Sequence, residues 1–168
     1  SYCTSDEGGS KKEEGEEAYS TSSDDKEGEE IQIKENHILK TIEKIGTSLD
    51  KPFETDNVII ECSSYYNPVE EPEKEIPLLD FCHFDGKTEY NLSEEVFPRS
   101  LALGISTMRE NESALLKIKF NYIFKFIDSD LKGKKIYEGK IPKEFLEEAF
   151  RNKYANLKIC FKVKLIKY

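Results

Sequence analysis

Between residues 97 and 125 the apolar pattern changes period once, and that change limits the folds open to the chain. Leu101, Ile105 and Met108 recur at helical spacing, with Leu103 and Gly104 beside them. After a polar turn the period drops to two. Leu116, Ile118 and Phe120 then share one face, and Leu115, Lys117 and Lys119 the other. A short helix running through a tight turn into a half-buried strand, here expected over residues 114–124, is an α+β signal. Residues 157–168 repeat the strand signal more clearly. Leu157, Ile159, Phe161, Val163 and Leu165 point one way; Lys158, Cys160, Lys162, Lys164 and Ile166 point the other. The lysines mark a solvated face.

The remaining elements fit around this pair. Val58 to Cys62 is a short β-rich run after the turn-like Asp56-Asn57. Ile38, Leu39, Ile42 and Ile45 suit either a short helix or an edge strand, and Gly46 follows them. Residues 67–75, rich in Pro and Glu, and residues 128–139, charged and Gly-containing, are expected as loops. Asp85-Gly86 is a turn signal before residues 87–92, where Tyr90 and Leu92 alternate with polar residues. Ser93-Glu94-Glu95 is expected to cap the helix that follows. A second helix is expected over residues 142–152. Pro142 suits its first turn, and Phe145, Leu146, Ala149 and Phe150 form a stripe that packs on the sheet.

Charge divides the chain in two. Of its 168 residues, the first thirty hold eleven acids against three lysines, a net of −8, while the whole carries −9. Those thirty residues contain no Ile, Leu, Val, Phe or Met, so burial cannot offset their ordering entropy. Residues 1–30 therefore read as a disordered acidic tail and residues 31–168 as one nearly neutral domain. A neutral body argues against a face built for phosphate attraction, and hence against direct nucleic-acid binding. No apolar run reaches the roughly 18–20 residues of a membrane span, and no signal-peptide pattern is present. Cys3, Cys62, Cys82 and Cys160 are even in number but lack C-x-x-C spacing. Cys62 and Cys160 sit inside strand-like runs, which favours free thiols in a reducing, cytoplasmic setting, with the nucleus as the alternative. His37 and His83 are too few to build a metal site, and no cofactor is expected.

Six segments, in order, resemble the FKBP-type peptidyl-prolyl isomerase domain over residues 37–168. Ile38-Leu39-Lys40 with Ile45-Gly46-Thr47 is similar to the family's opening strand and Gly-containing bend. Val58-Ile59-Ile60-Glu61-Cys62 is similar to its pocket-floor strand, and residues 92–108 to its helix and the approach to it. Met108-Arg109-Glu110-Asn111-Glu112 resembles its M-x-x-G-E turn, with Asn111 at the usual Gly; Asn is the next best residue for φ > 0. Asn121-Tyr122-Ile123-Phe124 resembles its P-x-Y-x-Y-G segment, and residues 157–168 its closing strand. The resemblance implies a twisted antiparallel half-barrel sheet wrapped around a short helix, with the helix near 143–152 as an addition.

Prolyl isomerisation crosses an amide-resonance barrier of roughly 18–20 kcal/mol. It needs a dry aromatic cup and a few fixed hydrogen bonds, with no nucleophile or acid–base pair. In the family a helix Trp floors the cup, a backbone N–H just before the helix and a Tyr hydroxyl hold the substrate, and an Asp sits at the rim. The resemblance maps these roles onto a degenerate pocket of Cys62, Leu79, Asp80, Phe97, Pro98, Leu101, Phe124 and Phe161. The Trp position falls on Leu101, the Tyr hydroxyl on Phe124, the N–H donor on Pro98 and a strand aromatic on Cys62. Phe161 matches the closing-strand aromatic, and Leu79-Asp80 is similar to the Phe-Asp pair with its spacing off by one. No catalytic residue is expected. Leu103-Gly104-Ile105-Ser106-Thr107-Met108-Arg109 further resembles the L-G-x-x-S-M-R helix end of the germline Shutdown-type immunophilins. In those proteins a degenerate domain precedes tetratricopeptide repeats and assists small-RNA loading onto PIWI-class Argonautes. The resemblance implies a monomeric, catalytically impaired protein-interaction module of a chaperone cofactor, partnered by heat-shock chaperone and Argonaute complexes. Any tetratricopeptide repeats are expected beyond Tyr168. The alternatives are an active isomerase with an atypical pocket, and a nuclear scaffold acting through its acidic tail.

Overall fold

The alternating run near the C-terminal end occupies the middle of the sheet in a computed structural model of the chain. The structure describes residues 26–78, 88–96, 98–125 and 147–168, with backbone alone at 124 and 125. The strands are β1 (Glu30–Lys34), β2 (Ile38–Lys44), β3 (Asn57–Tyr66), β4 (Ile76–Pro77), β5 (Glu89–Asn91), β6 (Ser113–Lys119) and β7 (Lys158–Lys167). The helices are α1 (Arg99–Ile105), α2 (Phe120–Lys125) and α3 (Glu148–Lys153). Among the described residues the strands form one open seven-stranded sheet in the order β1-β2-β6-β7-β3-β4, with β5 also paired to β3. All these pairings are antiparallel.

Register places the apolar positions in cross-strand rows on one face. Leu116, Phe161 and Ser64 lie opposite one another on β6, β7 and β3, and Ala114, Val163 and Cys62 form the next row. Helix α1 lies on this face, touching β2, β6 and β7. Leu101 and Ile105 are fully buried, as their helical spacing predicts; Met108 is fully buried too, but it lies past the end of α1, which stops at Ile105 short of the expected helical run. Seven residues make a marginal helix in water, so packing rather than propensity holds α1 in place. Gly104 permits the close approach: a Cβ there would stand 2.8 Å from Leu116 Cδ1.

The polar turn before β6 is fixed from both sides. Asn111 adopts φ 68°, the conformation expected of a residue standing in for Gly. Its N–H donates to Leu165 O at 2.6 Å and its Nδ2 to Thr47 Oγ1 at 3.0 Å. Gly46 passes so close that a Cβ would meet Arg109 Cβ and Glu110 O at 2.7 Å, which no other residue tolerates without a backbone shift. Beneath the turn Lys40 Nζ stands 2.6 Å from Glu112 Oε2, with side chains only 5% and 1% exposed. Lys40 also donates to Thr107 O at 3.0 Å, and Glu112 Oε1 accepts from Arg109 N at 3.1 Å. No sequence motif announces this buried pair.

Four expectations are corrected. The strand expected to run to residue 124 stops at Lys119, and Phe120–Lys125 turns into helix α2. Both flanking strands end there: Ile118 faces Ile38 and Lys119 faces Lys158, the first residues of β2 and β7. One further cross-strand bond follows, Phe120 N donating to Leu157 O at 2.7 Å, and beyond it the backbone satisfies itself helically. The second correction is the cap. Asn91 Oδ1, not Ser93, accepts from Ser93 N and Glu94 N, and Glu95 Oε1 reaches back to Asn91 N at 2.7 Å. Helix α1 begins later, after Pro98, with no side-chain cap. Third, β2 is neither a helix nor an edge strand, because β1 flanks it on the other side from β6. Ile31 and Ile33, an alternating pair next to the acidic tail, build β1, and Gly28 N donates to Ile42 O at 2.8 Å just before it. Fourth, the helix expected over residues 142–152 does not run unbroken: Glu147 is extended (φ −82°, ψ 134°), α3 begins at Glu148, and Ala149 is exposed, off the stripe expected of it. Phe150 does pack inward, edge-to-face on Phe120 with centroids 5.5 Å apart. Of the tail expected over residues 1–30, residues 1–25 lie outside the described residues, as do the loop at 128–139, Phe145 and Leu146; residues 26–30 are described, and Glu30 belongs to β1.

Candidate functional site

The residues singled out from the sequence fall into two groups. Pro98, Leu101, Cys62 and Phe161 are described; Leu79, Asp80, Phe97 and the Phe124 side chain lie outside the described residues. Leu101 and Phe161 are 0% exposed and belong to one apolar cluster, against which the half-buried Cys62 packs. Pro98 is buried and extended (φ −74°, ψ 167°) at the head of α1, and its carbonyl accepts from Leu101 N at 2.9 Å. Its ring nitrogen offers no N–H. Arg99 fixes the approach to the helix by donating from Nη1 to Leu92 O and Ser93 O, at 3.0 and 3.1 Å.

Two hydroxyls on this face carry no sequence motif that would single them out. Ser64 Oγ donates to Leu78 O at 3.1 Å, tying β3 to the end of β4. Ser100 is 6% exposed, and its Oγ has no hydrogen-bond partner. An unpartnered buried hydroxyl is costly to keep, so Ser100 brings unused hydrogen-bonding capacity to the position beside Pro98.

The opposite face of the sheet carries a groove of about 380 Å³ whose lining includes Glu43, Glu61, Ser63, Lys162 and Lys164 and also the candidate residue Cys62. It lies across the sheet from α1. Nearby, Tyr65 and Cys160 are cross-strand partners, and Lys162 Nζ sits 5.4 Å from the Tyr65 ring centre. Burial, then the neighbouring Cys160, pushes the Tyr65 phenol up to about 12 from its ordinary 10.0. Burial likewise raises the Cys160 thiol, so it is not an activated nucleophile. Between pH 10 and 12 the unfolded chain ionises this phenol while the folded one keeps its proton. Stability should therefore fall as pH rises through that window, and Tyr65→Phe should remove that part of the fall. Alkaline unfolding followed with ultraviolet difference absorbance checks this. Cys160 is a free thiol, and no group of three or more His, Cys, Asp or Glu is placed to hold a metal among the described residues. Among the same residues no helix is long and apolar enough to cross a membrane.

This sheet-and-helix arrangement has solved counterparts. The N-terminal domain of FKBP42 from Arabidopsis thaliana superposes with a TM-score of 0.52 at 18% identity, over 85% of this chain and 94% of that one. The three FKBP domains of wheat FKBP73 give a TM-score of 0.51 at 18% identity, over 83% of this chain and 48% of that one. The chain thus spans about half the length of the wheat structure. No protein-family profile and no curated protein matches the sequence. The fold is FKBP-like, α+β, with an open antiparallel sheet over a short helix.

Proposed function

We propose that this domain is a non-catalytic, FKBP-like protein-interaction module. The observation that carries the reading is Pro98: it stands, buried and extended, where the family resemblance places the backbone N–H that holds the substrate. Phe124 offers no hydroxyl at the second donor position. Two missing hydrogen bonds, at about 0.5–1.5 kcal/mol each, weaken transition-state binding roughly 5- to 150-fold, before the smaller floor at Leu101 is counted. Leu101 and Phe161 are consumed by core packing, which supports a filled rather than an open cup. A protease-coupled or NMR-exchange assay on a prolyl peptide should show turnover orders of magnitude below that of ordinary family members. Turnover at their level would make the domain an isomerase with an atypical pocket.

The chaperone-cofactor role, with heat-shock chaperone and PIWI-class Argonaute complexes as partners, rests on the Leu103-to-Arg109 resemblance. Much of that run serves packing: Ile105 and Met108 are 0% exposed, Arg109 4%, and Gly104 abuts Leu116. Leu103, 42% exposed, is its large apolar side chain at the surface and the best single position at which to test partner capture.

A further inference from the structure

Among the described residues strand β1 ends the sheet on one side, and one flank of its backbone faces away from β2. Edge strands are open templates for pairing with another strand. Its sequence, Glu30-Ile31-Gln32-Ile33-Lys34, reads as a charge palindrome. Laid antiparallel against a second copy about a two-fold axis at Gln32, Glu30 faces Lys34 of the other copy at both ends. Ile31 faces Ile33, and Gln32 faces itself. Such an arrangement is isologous, so it closes with two chains and does not propagate. Glu30, Gln32 and Lys34 are exposed, and Ile31 and Ile33 are half-buried. The half-buried isoleucines continue the apolar face outward, since Ile33 packs against the core.

We infer that β1 is a self-pairing edge: two copies of this chain join through antiparallel β1 strands into one continuous sheet. This goes beyond the monomer expected from the sequence. Charge complementarity selects the second copy as occupant, because an unrelated strand has no reason to match this acid-to-lysine order. A register step between Gln32 and Lys34 bends the strand end, and the long Lys34 side chain must span that step. The residues beyond Lys34 turn back into β2, so the pairing ends there. A five-residue strand pair is a small interface, so association belongs at high protein concentration and in fast exchange.

Sedimentation equilibrium of the full chain over a concentration series tests it. The native chain should shift towards dimer as concentration rises. Glu30→Lys sets two lysines against each other at both ends of the paired strands, and Lys34→Glu does the same with two acids; each variant alone should stay monomeric. An equimolar mixture of the two single variants should regain the dimer, as should the double exchange E30K/K34E. Glu30 also lies 3.5 Å from Lys117 of its own chain, so Lys117→Met serves as a control that should leave association unchanged. A native chain that stays monomeric throughout overturns the inference. So do single variants that associate as well as the native chain, or a mixture that restores nothing. All these side chains are exposed or half-buried, so the variants should fold.

Discussion

Lys40→Met should lower the unfolding free energy by about 3–5 kcal/mol, the usual loss when one member of a buried ion pair is removed. The replacement leaves Glu112, 1% exposed, as a buried carboxylate without its ammonium partner. It also removes the donor to Thr107 O, so the end of α1 loses its tie to β2. Glu112→Gln should fall in the same range. Its amide oxygen still accepts from Arg109 N, but the Lys40 charge is left buried. The double variant Lys40→Met with Glu112→Gln should be more stable than either single one, because no charge of the pair remains buried. That non-additivity separates a charge effect from mere loss of packing. Urea denaturation with an unchanged m-value is the measurement; single losses near 1 kcal/mol or strictly additive losses would sink the argument.

The second large effect concerns Phe161. On an open pocket wall, its truncation would cost little stability. At 0% exposure, between Ser64 and Leu116 on the adjacent strands, Phe161→Ala instead leaves a cavity in the centre of the sheet. The expected loss is about 3–5 kcal/mol, and Leu101→Ala should cost about 2–5 kcal/mol for the same reason. Thermal or urea unfolding decides. A loss below about 1 kcal/mol at Phe161 would mean the face is open enough to relax, and would revive a ligand-sized cup there.

Much of the frame is legible in the sequence because two periodicities are strong. Most of the alternation of residues 157–168 carries over into β7, although Cys160 is buried on the lysine face, and Leu101 and Ile105 share the core as their helical spacing requires. Asn111 is the clearest case of a local rule carrying over, from a Gly-like position to a φ of 68°. What the sequence hides depends on neighbours distant along the chain. Nothing local announces that the strand ends at Lys119, since its ending is set by where β2 and β7 begin. Strand β1 is hard to see because its two isoleucines lie against an acidic segment whose composition dominates the region. Lys40 reads as an ordinary surface lysine; only its register opposite Leu116 turns it inward beneath the turn. Of the candidate pocket, Leu101 and Phe161 take their places as core residues rather than as exposed walls.

The central position of β7 has a consequence for how the chain reaches this structure. Among the described residues its two neighbours, β6 and β3, are brought together in the sheet only by β7 itself, and β3 pairs with it through partners roughly a hundred residues apart. During synthesis the earlier segments emerge with these β3 and β6 edges unpaired and with Phe161 and Val163 still missing from the apolar rows. The sheet cannot close until Phe161 and Leu165 leave the ribosome. The pairings of β7 with β3 and β6 therefore form only after this strand has emerged. Folding is slow by the measure of this long-range pairing, and the chain is most exposed to aggregation just before β7 emerges.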